Sequence, residues 1–253
     1  NHLFTLELNG TLKTAVLFDY ETNASSYLVR VQAKDELNAS IEKDFTLLLQ
    51  DINNSTPLND SNFMTAINLW FSNEGVAKDN YGHISDWNVS AVTNMTHAFY
   101  NKNNFNEDIS KWDTSNVVNF SGLFRGASSF DQNISDWNTS SAVFMTNLFS
   151  KASSFNQNIK NWDTSKVTGM SYMFDGASKF NQDISDWDTN TADNLSNMFI
   201  GASSLSNENK GLIHATFSLN PNWPYDWSEF LPNQAPQFQT DGNLSILENE
   251  TFV

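Results

Sequence analysis

The sequence contains no cysteine, and this absence removes several kinds of chemistry at once. Without a thiol there is no disulfide framework, no thiolate zinc site and no cysteine nucleophile. Positive charge is also scarce, because 13 Lys and Arg stand against 29 Asp and Glu, which gives a formal net charge of −16. Nucleic-acid binding needs clustered Lys and Arg, so we expect no nucleic-acid partner.

Long apolar runs are missing as well. No stretch approaches the roughly 18 consecutive apolar residues of a membrane helix. We therefore expect membrane contact only through parts of the parent chain that lie outside this sequence. No secretory leader opens the sequence and both ends fall in mid-pattern, which indicates a fragment of a longer chain.

Catalytic motifs are not found either. The sequence has no nucleophile elbow and no phosphate-binding glycine loop. Its acids recur at repeat positions such as Asp113, Asp163 and Asp188, where Asn88 and Asn138 also fall, so we expect them to shape turns. We expect no enzymatic activity. The four histidines show no metal-ligand spacing; they are His2, His83, His97 and His214.

A repeat of 25 residues dominates the centre of the chain. Tryptophan recurs five times at this interval, with an isoleucine three residues before it and a phenylalanine twelve residues after it. Such a period is typical of leucine-rich-repeat-like arrays, in which single units cannot bury their own core and must stack. The tryptophans are Trp87, Trp112, Trp137, Trp162 and Trp187; the phenylalanines are Phe99, Phe124, Phe149, Phe174 and Phe199.

Each unit contains signals for a strand and a short helix. The stretch "NQDISDW" has β-compatible content, and the spacing of Val117, Phe120 and Phe124 fits one face of a helix that begins after Ser115. Gly126 is placed where a helix C-cap would fall. Large aromatic rings at fixed positions favour a stacked core over a ligand platform. The glutamines at 132, 157 and 182 either bond between units or line an outer face.

Both ends of the array have capping segments. Residues 58–75 have the apolar spacing of a helix that would cover the first unit, and the aromatic stretch at 222–231 breaks the period. The predicted fold class is therefore an α/β solenoid, a leucine-rich-repeat-like array of five 25-residue strand-plus-short-helix units with capping segments. We assign residues 58–233 to this array.

The repeat, written as "DISxWDTSxVxxMxxMFxGASxFN", resembles the units of BspA-type leucine-rich-repeat surface proteins. This resemblance covers most of the chain. It implies an extracellular, cell-anchored protein with a role in adhesion or in binding host or matrix components. It implies no catalytic residues.

The flanks contain a second pattern. Alternating apolar residues, such as Tyr27, Val29 and Val31 and then Phe45, Leu47 and Leu49, indicate strands within residues 1–57. This segment resembles the C-terminal half of a cadherin-like β-sandwich with its linker, and residues 234–253 resemble the first strand of a following cadherin-like repeat. The flanks are thus expected to be β-sandwich pieces.

Carboxylates two residues apart point to calcium. Residues i and i+2 of a strand share a face, and Ca²⁺ takes six to eight oxygen ligands from several segments. The cadherin resemblance adds two further ligands, and Asp60 of the array could contribute; alternatively, these acids simply face solvent at strand ends. The predicted Ca²⁺ ligands are Asp19, Glu21, Asp51 and Asn53, with Asp35 and Glu248 implied by the resemblance.

These features predict an extracellular, non-enzymatic segment of a long cell-surface protein that acts in calcium-dependent adhesion. The expected partners are an extracellular protein or glycan, or further copies of the chain. Two alternatives are a structural spacer or subunit of a filament or surface layer, and a glycan- or peptide-recognition module. The expected ligand-facing residues lie between Ile and Trp of each unit: Ser110, Lys111, Ser135, Asp136, Lys160, Asn161, Ser185 and Asp186.

Overall fold

The computed structural model describes residues 3–6, 12–16, 26–34, 39–48 and 57–232. The chain divides into two compact units, Asn1–Asn53 and Asn54–Val253. The strand expected within residues 234–253 lies outside the described residues. None of the helices in the described part of the chain is long and apolar enough to cross a membrane.

The N-terminal unit contains two antiparallel pairs of strands. Strand β1 (Phe4–Leu6) pairs with β2 (Leu12–Thr14), and β3 (Ser26–Lys34) pairs with β4 (Ser40–Leu48). The alternation that predicted strands is confirmed here, since Tyr27 lies opposite Leu47 and Val29 opposite Phe45. The β-sandwich prediction is wrong, because the described strands form two separate two-stranded sheets.

Polar cross-strand pairs hold β3 against β4 on one face. The Arg30 guanidinium donates to both carboxylate oxygens of Asp44, at 2.6 and 3.0 Å, and Gln32 Nε2 donates to Glu42 Oε1 at 2.9 Å. The other face carries Val29, whose side chain is buried. This hairpin therefore depends on directional pairs more than on a core.

The C-terminal compact unit begins with two helices. Helix α1 (Phe63–Ser72) buries Phe63, Ala66, Ile67 and Trp70, the spacing of a single helical face. Helix α2 (Glu74–Tyr81) follows, and the Asn73 side chain caps it by accepting from Val76 N at 3.3 Å. A 3-10 turn at Ile84–Asp86 leads into the first repeat. The helical cap predicted for residues 58–75 is confirmed.

The prediction of an α/β solenoid is wrong. All residues from 87 to 206 are described, and they contain neither an α-helix nor a strand. The "NQDISDW" stretches are irregular segments that contain one turn, and the segment after Ser115 is a run of turns instead of a helix. Successive units are joined by single parallel β-bridges, which pair Asn94 with Asn119 and continue through Phe144, Gly169 and Asn194.

The direction of the backbone N–H groups explains this difference. In the segment after Asn119, alternate N–H groups donate inside the unit and to the next unit. Leu123 N donates to Phe120 O at 3.1 Å, three residues back, whereas Phe124 N donates to Leu148 O at 3.0 Å, 24 residues ahead. A helix would direct both groups to carbonyls four residues back. Stacking thus takes up the N–H groups that a helix would use.

This alternation requires left-handed backbone at two positions in every unit. Gly126 has φ of 75°, and a Cβ there would clash with Asn101 Oδ1. Its predicted role as a helix C-cap is wrong, because no helix precedes it. Residues other than glycine occupy several of the equivalent positions, where left-handed backbone costs them conformational energy. The two left-handed columns are His97, Gly122, Asn147, Tyr172 and Asn197, and Asn101, Gly126, Lys151, Gly176 and Gly201.

Columns of identical aromatic rings form the core. Neighbouring tryptophans stack with centroids 6.2–6.5 Å apart and ring planes within 9° of parallel. Each repeat tryptophan is about 3 % exposed. From Trp112 onward the indole N–H donates to an isoleucine carbonyl of the preceding unit, as Trp137 Nε1 does to Ile109 O at 3.1 Å, whereas Trp87 donates to Gly82 O. The prediction that the tryptophans form core is confirmed.

The last repeat is covered by a helix and an aromatic segment. Helix α3 (Asn207–Phe217), which the sequence pattern did not predict, packs on the array through Ile213 and Phe217. The aromatic cap expected at 222–231 is confirmed, since Trp223, Tyr225 and Trp227 lie against Phe199. A 3-10 turn at Ser228–Phe230 follows.

Candidate interaction surfaces

Repeated Asp and Asn side chains shape the turns. Asp113 Oδ1 accepts from Ser115 N at 3.0 Å, and Asp163 and Asn138 make the same bond to the residue two positions ahead. The hydrogen bond from the Ser115 side chain, followed by that from its backbone, lowers the pKa of Asp113. The expected structural role of these residues is confirmed, whereas the expected helix-capping role of Ser115 is wrong.

A second set of polar side chains links one unit to the next. Asp131 N donates to Asn106 Oδ1, Asn156 N donates to Asp131 Oδ1, and Asn181 N donates to Asn156 Oδ1, all at 2.8–2.9 Å. Gln157 and Gln182 join this ladder through Nε2. These two glutamines therefore bond between units, which is one of the two roles expected for their column.

Asp60 closes the start of the array. Its Oδ1 accepts from Thr93 N at 2.7 Å and from Asn94 N at 3.1 Å, and its Oδ2 accepts from Thr93 Oγ1 at 2.6 Å. Burial raises the pKa of Asp60, but the hydrogen bonds from Thr93 and Asn94 together outweigh burial and leave that pKa below its ordinary value. Both carboxylate oxygens are thus engaged in fixing the first turn, which competes with the calcium role considered for Asp60.

The predicted ligand-facing residues form one continuous surface, which we call the tryptophan-edge face. Side chains of adjacent units reach each other across it. Lys160 Nζ lies 2.6 Å from Asp183 Oδ2 and 3.5 Å from Asp186 Oδ2, and Lys111 Nζ lies 3.8 Å from Asp86 Oδ1. Ser110, Ser135, Lys160 and Ser185 are half-buried, while Lys111, Asp136, Asn161 and Asp186 are exposed.

Acids outnumber bases on the tryptophan-edge face and beside it. Burial raises the pKa of Asp183, but the hydrogen bonds from Lys160 and Ser185 together outweigh burial and leave that pKa below its ordinary value. Asp183 is therefore ionised at neutral pH. Asp86 and Asp136 add exposed carboxylates. This face therefore has a negative field that suits a cationic partner.

A second surface lies along the stacked turns on another part of each unit. We call it the turn strip, and it comprises residues 96–104, 121–129, 146–154, 171–179 and 196–204. Backbone bonds such as His97 N to Ser121 O and Ser129 N to Asn103 O place the five segments side by side. The segments of the strip were not recognised from sequence; summing the charges over equivalent segments of the repeat, instead of along the chain, is the signal that would have found them.

The end of the turn strip opens into a pocket of about 260 Å³. Its walls include the rings of Phe199, Tyr225 and Trp227, with Lys210 and Ser203 as polar groups. Tyr225 Oη accepts from Phe199 N at 2.9 Å, so a phenol oxygen stands where a further unit would supply a carbonyl. Burial, the largest cause, raises the pKa of Tyr225, which keeps this phenol protonated.

The predicted calcium ligands Asp19, Glu21, Asp35, Asp51, Asn53 and Glu248 lie outside the described residues. Among the residues that are described, no group of three or more His, Asp or Glu side chains could hold a metal ion. The calcium site therefore stays a prediction from the sequence.

Stacked turns around continuous aromatic columns define a repeat protein with 25-residue units. The family model described as "Mycoplasma protein of unknown function, DUF285" matches residues 65–160 and 143–214, more than half of the chain. The chain belongs to this family. The match agrees with the resemblance to BspA-type repeat proteins at the level of the repeat, but it shows neither a leucine-rich-repeat nor a cadherin family. No curated protein and no solved structure matches the chain.

Proposed function

We propose that this chain is an extracellular, non-enzymatic adhesion module of a longer cell-surface protein, and that its tryptophan-edge face binds an extracellular protein. The observation that carries this proposal is the inter-unit reach of Lys160 to Asp183 and Asp186, which makes separate repeats present one surface. Calcium dependence, expected from the sequence, belongs to the N-terminal segment and to residues outside those described.

Rigidity of the support favours a binding role for this face. Each exposed residue on it lies between a fully buried isoleucine and a buried tryptophan of the stacked column. The backbone positions of these residues are therefore held at fixed intervals, so that little backbone freedom is lost on binding. Preorganisation of this kind increases affinity without adding contacts.

Charge favours a basic partner. Asp136 and Asp186 are exposed and point away from the core, and the chain as a whole has a net charge of −16. Opposite potentials speed up encounter and help to select partners. A basic patch on an extracellular protein is the complementary surface.

The caps argue against the alternative of an end-to-end filament. At the start of the array, Phe71 packs edge-on against Phe99 and Phe105. At its end, the rings of Trp223 and Trp227 pack on Phe199. Apolar ends that are already covered leave little surface with which a second copy could continue the core.

A binding array tests the proposal. The full chain, coupled to beads, is applied to immobilised extracellular-matrix proteins, with polylysine as a probe of charge alone. We expect saturable binding to at least one matrix protein, and we expect the double variant Asp136→Lys with Asp186→Lys to weaken it about tenfold, since each reversed charge changes binding by about 1 kcal/mol or less.

The matched control is the double variant Asp79→Lys with Glu229→Lys, an equal change of charge at exposed positions on α2 and on the 3-10 turn Ser228–Phe230, outside the face. This variant should bind like the unaltered chain. An equal loss of binding in both variants, or binding to polylysine alone, would mean that the interaction depends only on net charge and would contradict the proposal. Self-association in sedimentation without any binding to matrix proteins would favour the spacer alternative.

A further inference from the structure

We propose that the turn strip and its end pocket form a binding site for an acidic polysaccharide. This site lies on a different surface from the tryptophan-edge face, so the two proposals stand or fall separately. The turn strip contributes cations, hydroxyls and exposed rings along the stack, and the end pocket accommodates one sugar ring.

The distribution of charge carries the first part of the argument. The five segments of the turn strip contain four Lys or Arg and a single acid, Asp175. The remaining segments of the same units, 105–120, 130–145, 155–170 and 180–195, contain ten acids and three lysines. The repeats thus segregate their charges in a strongly acidic chain, and the turn strip is the positively charged side.

The cations of the strip form no ion pairs among the described residues, although Lys102 lies 4.2 Å from the centroid of the Phe71 ring. Within the described residues, Lys102, Arg125, Lys151 and Lys179 have no carboxylate within ion-pair distance, whereas Lys111 and Lys160 on the acidic side do. One cation falls in each of the first four segments. Because the segments stack in register, these charges follow the direction of the array and match a linear anionic chain better than a compact ligand.

Exposed aromatic rings lie among these cations. Tyr100 is 44 % exposed and Tyr172 is 39 % exposed. The Arg125 guanidinium lies 5.5 Å from the centroid of the Tyr100 ring, and the His97 ring lies 5.4 Å from it. Tyr172 also occupies a left-handed backbone position, with φ of 56°, which a bulky residue adopts at a cost. Rings that are costly to place and remain exposed are suited to stacking on a ligand.

The end pocket provides the concave part of the site. Tyr225 and Trp227 stack with centroids 4.8 Å apart, and both line the pocket beside Lys210 and Ser203. Gly201 also lines it. The equivalent N–H groups of earlier units, such as that of Gly126, donate to the next unit, but in the described chain no acceptor faces Gly201 N.

These groups suit an acidic sugar. An aromatic face can cover the apolar face of a sugar ring, Gly201 N–H and Ser203 Oγ can bond its oxygens, and Lys210 can pair with its carboxylate or sulfate. A nucleic acid or an anionic membrane is less well matched. Both have dense negative charge that the −16 net charge of the chain would repel, whereas a sparsely charged polysaccharide such as hyaluronan spaces its carboxylates along a neutral backbone.

Calorimetry with defined probes tests this site. The full chain is titrated with short heparin and hyaluronan oligosaccharides, neutral dextran oligosaccharides, single-stranded poly(dT) and phosphatidylserine vesicles. We expect binding to at least one acidic oligosaccharide, weakening with added salt because exposed charges are screened, and no binding to dextran. Absence of binding to both acidic oligosaccharides, equal binding of dextran, or tighter binding of poly(dT) or vesicles would each overturn the proposal.

Variants locate the site. Arg125→Glu with Lys151→Glu should weaken the acidic oligosaccharide about tenfold, and Lys210→Glu about fivefold, in line with about 1 kcal/mol for each exposed charge pair. The matched control, Lys111→Glu with Lys166→Glu, reverses the same number of charges on the acidic side and should change binding less than about twofold by the same reasoning.

Asp175→Asn sharpens the test, because it removes the one acid of the turn strip while its amide oxygen can still accept from Ser150 Oγ. This variant should bind more tightly. Urea unfolding of each variant separates loss of binding from loss of fold. Equal loss in the Arg125/Lys151 variant and in its control, with all variants folded, would assign the interaction to net charge and refute the site.

Discussion

The hairpin β3–β4 and the repeat array are stabilised by different interactions. In the hairpin, nearly every described side chain is exposed, and exposed polar pairs such as Arg30 with Asp44 align the strands. In the array, whole columns of Ile, Trp and Phe have almost no exposed surface. Isolated two-stranded hairpins are marginal in water, so we expect the array to hold most of the stability of the chain.

The largest expected effect comes from the tryptophan column. Trp137→Ala removes a ring stacked on two neighbours and the bond from Nε1 to Ile109 O, so we expect a loss of about 3–5 kcal/mol of unfolding free energy. Leu28→Ala in the hairpin, where the side chain is 67 % exposed, should change the urea midpoint little. Similar losses in both variants would remove the contrast between the two regions.

Calcium should act on the other region. If the predicted ligands of the N-terminal segment bind Ca²⁺, saturating calcium at about 100 times Kd stabilises that unit by about 2.7 kcal/mol, and chelation removes the gain. The array should unfold at the same temperature in both conditions. Calorimetry with calcium and with EDTA measures the two transitions, and an unchanged N-terminal transition would reject the calcium site.

Left-handed positions of the array provide a graded test. Gly176→Ala should cost about 1 kcal/mol from its backbone conformation, because its Cβ would meet its neighbours only at ordinary contact distances. Gly126→Ala should cost more, because its Cβ would also lie against the Asn101 side chain. Thermal unfolding of both variants measures the order, and the reverse order would contradict the stacking geometry at these turns.

Acid should loosen the start of the array through Asp60. The folded-state pKa of this carboxyl lies below its ordinary 3.8, so its contribution is complete above that value and is lost as pH falls through the folded pKa. Asp60→Asn should cost about 1 kcal/mol at neutral pH, a figure reduced for exposure. Its unfolding free energy should also fall less between pH 5 and pH 3 than that of the unaltered chain; parallel pH profiles would disprove this role.

The smallest effect should be in the hairpin. Arg30→Ala breaks the pair with Asp44, but both groups are exposed and such pairs contribute little. We expect no measurable change in the melting temperature of the chain. A clear decrease would mean that the hairpin is more tightly coupled to folding than its burial suggests.

The sequence predicted the parts of the fold that depend on burial alone. The period, the aromatic columns, the helix over Phe63–Ser72 and the aromatic cap all follow from where apolar residues recur. The local backbone structure could not be predicted in the same way. The spacing of Val117, Phe120 and Phe124 places all three side chains in the core both in a helix and in a stacked turn. What differs is whether Phe124 N donates four residues back or to Leu148 of the next unit.

The candidate surfaces show the same limit. Residues between Ile and Trp could be placed on one face from the period, since their neighbours must be buried. The turn strip could not, because its cations are far apart in the sequence and fall in one strip only when Lys102, Arg125 and Lys151 are aligned by stacking. Helix α3 was missed because the 25-residue register ends before it and its pattern includes Gly211, whose missing side chain leaves room for Phe230 O.

Bonds from each unit to carbonyls 24 residues ahead give the array a polarity that is identical at every interior junction. One interior repeat can therefore be duplicated or excised by genetic recombination without creating a new kind of junction, and the chain can vary its reach in steps of one copy. An insertion that is not a whole number of repeats would place other residues at the left-handed positions and would break the register.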